Sequence, residues 1–388
     1  MSGREPQGSV AAAPAESVDR LRHIDSLRAI AALLVLYMHV SESFYRLSPQ
    51  TESSRWLYDL AFVTDAGRIG VVAFFMISGF VIPFSARPER PAAGWDFAIK
   101  RLFRIYPAYW LSIFAGAFAC YWLWDRPFGL REILVNLTLL QDLFGVPSAQ
   151  GLYWTLIVEL AFYAICLAFL LSGNIRNDRF IAFFAAGLAS VVVLWLVATR
   201  AGTALFGFNG VQWFVHLSVM ATGTLFRAWY DGGLRDRVSH ALLWALLAFY
   251  LAGFPLLSTL MADLPWRYTV PYASGVLLFV LGTAVVRISH PVMAWLGQIS
   301  YSIYLYHAVV FYPLLWLLLQ LPVDAWWRTR HLGFYLGINV ILTVFVASLV
   351  YRCVERPAID YGKRVARWVA ARRAPGERTT ELIEKRAG

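Results

Sequence analysis

Charge is scarce in this sequence. Asp, Glu, Lys and Arg together make 15% of its 388 residues, against roughly 25% in a soluble domain. A water-soluble chain of this length would hold two or three domains, and so little charge could not cover them, which excludes an ordinary cytosolic globule. Cysteine is scarce as well. Cys120, Cys166 and Cys353 all lie in or beside apolar runs, with neither metal-ligand spacing nor the framework of a disulfide scaffold; they read as buried thiols, and no metal site is expected. The opening residues, MSGREPQGSVAAAPAESVDR, contain no apolar core of the kind a signal peptide needs, so residues 1–23 are expected to be a disordered cytoplasmic tail. No internal repeat is apparent, and no connection is large enough for a separate soluble domain.

Apolar residues are abundant. They make 59% of the chain, with a mean hydropathy of +0.57. Ten windows reach the 17–25 apolar residues that a bilayer requires: about 27–45, 67–85, 105–124, 152–172, 180–199, 210–229, 240–259, 268–286, 294–320 and 332–352. The expected fold is an all-α polytopic helical bundle with ten membrane helices, a membrane domain over 24–357 and a basic tail over 358–388. With the N-terminus inside, 25 of the 34 Lys and Arg residues fall on the cytoplasmic side. The positive-inside rule then places both termini in the cytoplasm. Topology thus accounts for the net charge of +10 without nucleic acid, and low Lys with high Arg and Ala suits a bacterial inner (plasma) membrane. From Tyr361 onward the tail carries cations and a Trp, as a helix lying on anionic lipid does; a solvated tail reads equally well.

An ionisable side chain inside a spanning helix costs on the order of 2.5–3.5 kcal/mol on insertion scales, so each one there needs a partner or a role. In DSLRAIAALLVLYMH, eleven steps of about 100° bring His39 to within about 20° of Arg28, with Asp25 about 40° away. His39 stands roughly 16 Å further along the helix than Arg28. Glu159, in YWTLIVELAFY, and His307, in SYSIYLYH, are expected near the depth of His39, which would make a polar cavity. At the inner boundary, KRLFRIYP sets Lys100, Arg101 and Arg104 ahead of the third span, with Arg101 and Arg104 one turn apart. With Arg28 they form a cationic mouth suited to phosphates. The alternatives for these residues are membrane anchoring for the cations and interhelical hydrogen bonding for the imidazoles. Ser78, in FFMISGFVIP, lies beside Gly79 and reads as a packing position rather than a nucleophile.

IDSLRAIAALLVLYMH, GVVAFFMISGFVI, KRLFRIYPAYW, YWTLIVELAFY, LGQISYSIYLYH and VERP, in this order over about 24–357, resemble the acyltransferase-3 family of integral membrane O-acyltransferases. The resemblance implies ten membrane helices and transfer of an acyl group, commonly acetyl, from acyl-CoA to a hydroxyl. The acceptor would be a glycan, a lipid-linked saccharide or a glycosylated small molecule. The family's Arg-x10-His pattern falls on Arg28 and His39, its basic cluster on Lys100, Arg101 and Arg104, and its membrane Glu on Glu159. Lys100 stands where Arg is frequent, replacing a bidentate fork by a point charge. The chain ends about thirty residues after Pro357, without the hydrolase-like domain of some relatives, so the chemistry is expected within the membrane domain.

Acyl transfer to an alcohol needs a base, oxyanion stabilisation and exclusion of water. The expected base is His39, oriented by Glu159 or Asp25 or itself transiently acylated, with Arg28, Arg101 and Arg104 on the donor's phosphates and His307 as a further candidate. Two rival classes use the same residues differently: a proton-coupled transporter would move solute without consuming acyl-CoA, and a membrane sensor or scaffold would tolerate loss of His39.

Overall fold

The structure, a computed structural model, describes residues 16–49, 51–234 and 236–373. Most of both polar tails, including Arg4, Arg378, Lys385 and Arg386, lies outside the described residues, as does Arg235. No strand occurs among the described residues; fifteen α-helices do. α1 (Glu16–Phe44) starts ahead of the tail boundary expected at residue 23. It is followed by α2 (Glu52–Val63), α3 (Ala66–Ser85), α4 (Ala93–Cys120), α5 (Leu130–Asn136), α6 (Trp154–Leu171), α7 (Asp178–Arg200) and α8 (Phe208–Tyr230). Then come α9 (Arg237–Ala248), α10 (Phe254–Ala262), α11 (Trp266–Leu281), α12 (Pro291–Gln298), α13 (Ser300–Leu319), α14 (Leu332–Val350) and α15 (Arg356–Arg373).

Eight helical stretches among the described residues are long and apolar enough to cross a membrane, and they fall in eight of the expected windows. The other two windows hold α4 and α8, of 28 and 23 residues. Both are long enough to span at 1.5 Å per residue, but they carry more polar side chains. The chain is a helical membrane bundle. One expected helix, 294–320, is divided at Ile299 into α12 and α13. Elsewhere a π turn joins helices without a break: Phe249–Gly253 links α9 to α10, and Tyr351–Glu355 links α14 to α15.

α1 is the central post, packed by α3, α12, α13 and α14, and α3 in turn packs on α8. Two glycines allow that second contact. A Cβ on Gly79 would fall on the Met220 carbonyl, and one on Gly223 on the Met76 carbonyl, so the main chains meet as small residues permit in membrane helices. The Thr224 hydroxyl donates to the Gly79 carbonyl at 3.0 Å across the same contact. Beyond α14 the chain continues as α15, which packs along α4 with Gly362 beneath the Phe103 side chain, while Lys363, Arg364, Arg367, Arg372 and Arg373 stay exposed. The positions of α1, α4 and α13 set by these contacts bring the charged side chains together.

Candidate active site

A cavity of about 240 Å³ opens among α1, α3, α4, α6 and α13. Its ionic wall is Asp25 and Arg28 from α1, Arg101 and Arg104 from α4, and Glu159 from α6. The helical spacing Val71, Phe74, Phe75, Ser78, Val81 and Ile82 gives one face of α3 as a largely apolar wall. Thr155, Tyr163, Tyr301 and Tyr304 complete it with hydroxyl groups. Five residues that the sequence singles out, 134 positions apart at the extremes of the list, therefore meet in one space.

Their side chains are held in different ways. Arg28 approaches Asp25 only to 4.0 Å, longer than a hydrogen bond. Arg101 donates to the Ser85 hydroxyl, and its guanidinium lies 5.5 Å over the Phe97 ring and 5.4 Å over that of Tyr163. Its Nε is buried without a partner. Arg104 is tied down more firmly, by an ion pair from Nη1 to Glu355 and by the Tyr301 ring 5.5 Å beneath its guanidinium. Glu355 is buried, and its other oxygen accepts from the Ser302 hydroxyl at 2.6 Å. Glu159 accepts from the Tyr163 hydroxyl at 2.7 Å. Lys100 does not join them: it pairs with Asp96 at 2.7 Å, one turn earlier on α4, and stands outside the cavity wall. Three guanidinium groups thus face two carboxylates, with a third behind Arg104. That balance keeps the charges tolerable in a low-dielectric site where unpaired ions are costly.

The imidazoles lie elsewhere. His39 is absent from the cavity wall and stacks on His307, ring centroids 5.3 Å apart, with Phe311 at 6.5 Å. The expectation that Glu159 shares their depth fails for a geometric reason. Tyr304 bonds Thr155 at 2.7 Å; Glu159 lies one turn beyond Thr155 on the descending α6, and His307 about one turn beyond Tyr304 in the other direction. At 1.5 Å per residue this separates them by roughly 10 Å along the bundle. Neither Glu159 nor Asp25 hydrogen-bonds His39 among the described residues. His307 is 1% exposed; its Nδ1 donates to the Tyr304 carbonyl at 2.7 Å, which leaves a buried Nε2 without a partner. Tyr304 connects the regions, lining the cavity while its ring stands 6.0 Å from that of His307.

An ionic cavity adjoining an imidazole pair fits several membrane chemistries, and similarity to known proteins decides among them. Residues 21–352 match the family model described as an acyltransferase domain. The chain belongs to the acyltransferase-3 family. Among its relatives, the exopolysaccharide production protein ExoZ of Rhizobium meliloti is 30% identical, with 79% of this chain and 95% of that protein covered. Nodulation protein 10 of Rhizobium leguminosarum bv. viciae is 26% identical over 87% of this chain and 93% of its own length. The peptidoglycan O-acetyltransferase OatA of Listeria monocytogenes is 25% identical, covering 86% of this chain and 55% of that protein. No solved structure matches the chain. An acyltransferase-3 protein needs an acyl donor, and among the described residues no group of three His, Cys, Asp or Glu is placed to hold a metal.

Several residues in or just behind this acyltransferase's cavity wall carry no role in the sequence reading. Tyr301 and Tyr304 stand six and three residues ahead of the candidate His307, so the SYSIYLYH motif holds a signal for a shared face. Tyr163 follows Glu159 by four residues, the spacing of a helical pair. Glu355 appeared only as a letter of VERP, because nothing local shows that it reaches Arg104, 251 residues away. Nothing local in the sequence marks His216. It is buried in α8, meets the Tyr272 hydroxyl at 2.8 Å and lies 4.9 Å from the ring of Phe75 in the cavity wall.

Proposed function

We propose that the protein transfers an acyl group, acetyl foremost, from cytoplasmic acyl-CoA to a hydroxyl of a glycan or glycosylated acceptor, in a bacterial inner membrane with both termini in the cytoplasm. The observation that carries this reading is the convergence of Arg28, Arg101 and Arg104 on one cavity, with an imidazole pair about one turn beyond its Tyr304 wall. Arg28 and Arg101 have N–H groups to spare for donor phosphates; Arg104, held by Glu355, offers its remaining edge. The apolar face of α3 suits the donor's thin arm and keeps water from the thioester. The relatives' names, which concern exopolysaccharide and peptidoglycan, support a carbohydrate acceptor.

In this reading His39 is the base. It is the partly exposed member of the pair, whereas His307 is buried with one nitrogen committed to a carbonyl, so only His39 is accessible to an acceptor. His39 takes the hydroxyl proton as the acceptor oxygen bonds to the thioester carbon. The C–S bond then breaks, and the proton passes to the departing CoA sulfur. Stacking on His307 fixes the His39 ring, a part the sequence reading gave to Glu159 or Asp25. Those two carboxylates instead balance the arginines.

The test is free CoA release by purified protein from acetyl-CoA with a mixed glycan extract, for wild type, His39→Ala and Arg28→Ala. Extract-dependent release that vanishes without His39, with a raised donor KM without Arg28, supports the assignment. Absence of both turnover and CoA binding would overturn it and bring forward the proton-coupled transporter.

A further inference from the structure

We propose that Glu355 is a positioning residue for the donor site, fixing Arg104 so that one edge of its guanidinium faces the cavity. The inference deepens the acyl-CoA reading above and rests on it. Arg104 lines the cavity, whereas Glu355 does not. Glu355 is 1% exposed, accepts from Arg104 Nη1 and takes the Ser302 hydroxyl on its second oxygen at 2.6 Å. A buried carboxylate that stands outside the cavity wall, with each oxygen engaged by a side chain, does not meet a ligand, and its service is to another side chain. Arg104 has five N–H donors in a rigid fork, and among the described residues its one hydrogen bond is that from Nη1 to Glu355. The edge carrying its other terminal nitrogen remains for a planar or phosphate oxygen pair.

The backbone is built to deliver Glu355. In an uninterrupted α-helix the eight steps from Ala347 would leave Glu355 about 80° off the direction of Ala347. The π turn Tyr351–Glu355 absorbs one extra residue and returns it to within about 20°. Ala347 and Thr343, on that same face, are buried. α15 then holds the arrangement from outside: Tyr361 meets the Phe103 ring at 5.5 Å, and the Arg373 guanidinium lies 4.7 Å from the Trp95 ring. Both partners are on α4, the helix that bears Arg104. Cavity, π turn and C-terminal helix therefore converge on one guanidinium.

The test uses the full-length protein in detergent, with Glu355→Gln, Glu355→Asp and Ser302→Ala. Loss of a charged hydrogen-bond partner is expected to raise the donor KM about tenfold in Glu355→Gln, with kcat and acceptor KM nearly unchanged. Glu355→Asp should recover part of the loss, and Ser302→Ala, which leaves the ion pair in place, should change the donor KM by less than about threefold. A second readout needs no turnover: modification of Arg104 by phenylglyoxal, followed by mass spectrometry. It should accelerate in Glu355→Gln relative to wild type, while Arg28 modification stays constant. If wild type consumes no acyl-CoA, the reading of the donor fails, yet the labelling still reports on Arg104. An unchanged Arg104 labelling rate in folded Glu355→Gln protein overturns the positioning role.

Discussion

Two regions of the bundle, built on the same two helices, differ in how they treat charge. α1 contributes Asp25 and Arg28 to the cavity and His39 to the imidazole stack; α13 contributes Tyr301 and Tyr304 to the first and His307 to the second. In the cavity every cation has an acidic or aromatic neighbour, and with Glu355 behind Arg104 the carboxylates match the guanidinium groups in number. The imidazoles stack on each other and on Phe311, with Glu42 and Asp65 the acidic groups near His39, and the Nε2 of His307 has no partner. Balanced charge suits recognition of a charged donor, since ions can be exchanged without stranding one in low dielectric. An imidazole such as His39, with no hydrogen bond to either ring nitrogen among the described residues, suits proton transfer, which needs a free lone pair. The helical rise separates the two tasks on one scaffold.

That division can be broken most directly at His39. His39→Ala should lower kcat by about two orders of magnitude or more, the scale of general-base catalysis, while CoA binding measured by calorimetry stays near wild type. A parallel loss of CoA affinity would merge the two regions. Next in size, Arg28→Ala should raise the donor KM roughly tenfold with a much smaller change in kcat. His307→Phe keeps the stack but removes the ring nitrogens, and should reduce kcat by about tenfold without altering donor KM. A loss equal to that of His39→Ala would move the base to His307. Tyr304→Phe removes the hydroxyl that meets Thr155 and donates to the Leu152 carbonyl at 3.1 Å. It should cost about 1 kcal/mol of stability, read as a small fall in Tm.

Smallest of all is a control remote from both regions. Asp236 caps α9, and its carboxyl is held well below the ordinary range by Arg179, with the Ser239 N–H and hydroxyl adding to this. A depressed folded pKa stabilises above the unfolded value, and the gain is lost as pH falls toward the folded one. Asp236→Ala should therefore lower Tm slightly at neutral pH, with the difference narrowing below about pH 4, and leave CoA release unaffected.

The basic pair Arg101 and Arg104 was legible because one helical turn sets both on the same side whatever surrounds them. Asp25 and Arg28 were legible for the same reason, and the shared stripe was extended to His39. There the local argument stopped being sufficient. Angular coincidence says nothing about how far the cavity climbs, and the cavity ends near Tyr304. The depth assigned to Glu159 erred because it assumed where each helix enters the membrane, whereas the Thr155 to Tyr304 contact fixes the relative height of α6 and α13. Lys100 is drawn away by Asp96, a partner one turn earlier that a count of cations overlooks.

Composition by itself determined the solvent of this protein, with 15% charge and 59% apolar residues, and apolar runs long enough to span satisfy their backbone in lipid as helices. Periodicity determined which side chains share a helical face, because that depends on neighbours a few residues away. Only the tertiary structure decided that His39 faces His307 rather than a carboxylate, and that Glu355 holds Arg104 from 251 residues away. Those pairings depend on the packing of α1 and α4 against α13, on the turn at Tyr351–Glu355 and on the rotation of each helix about its axis. Such quantities are set by packing between distant segments, which hydrophobic pattern constrains only to a face and not to a partner.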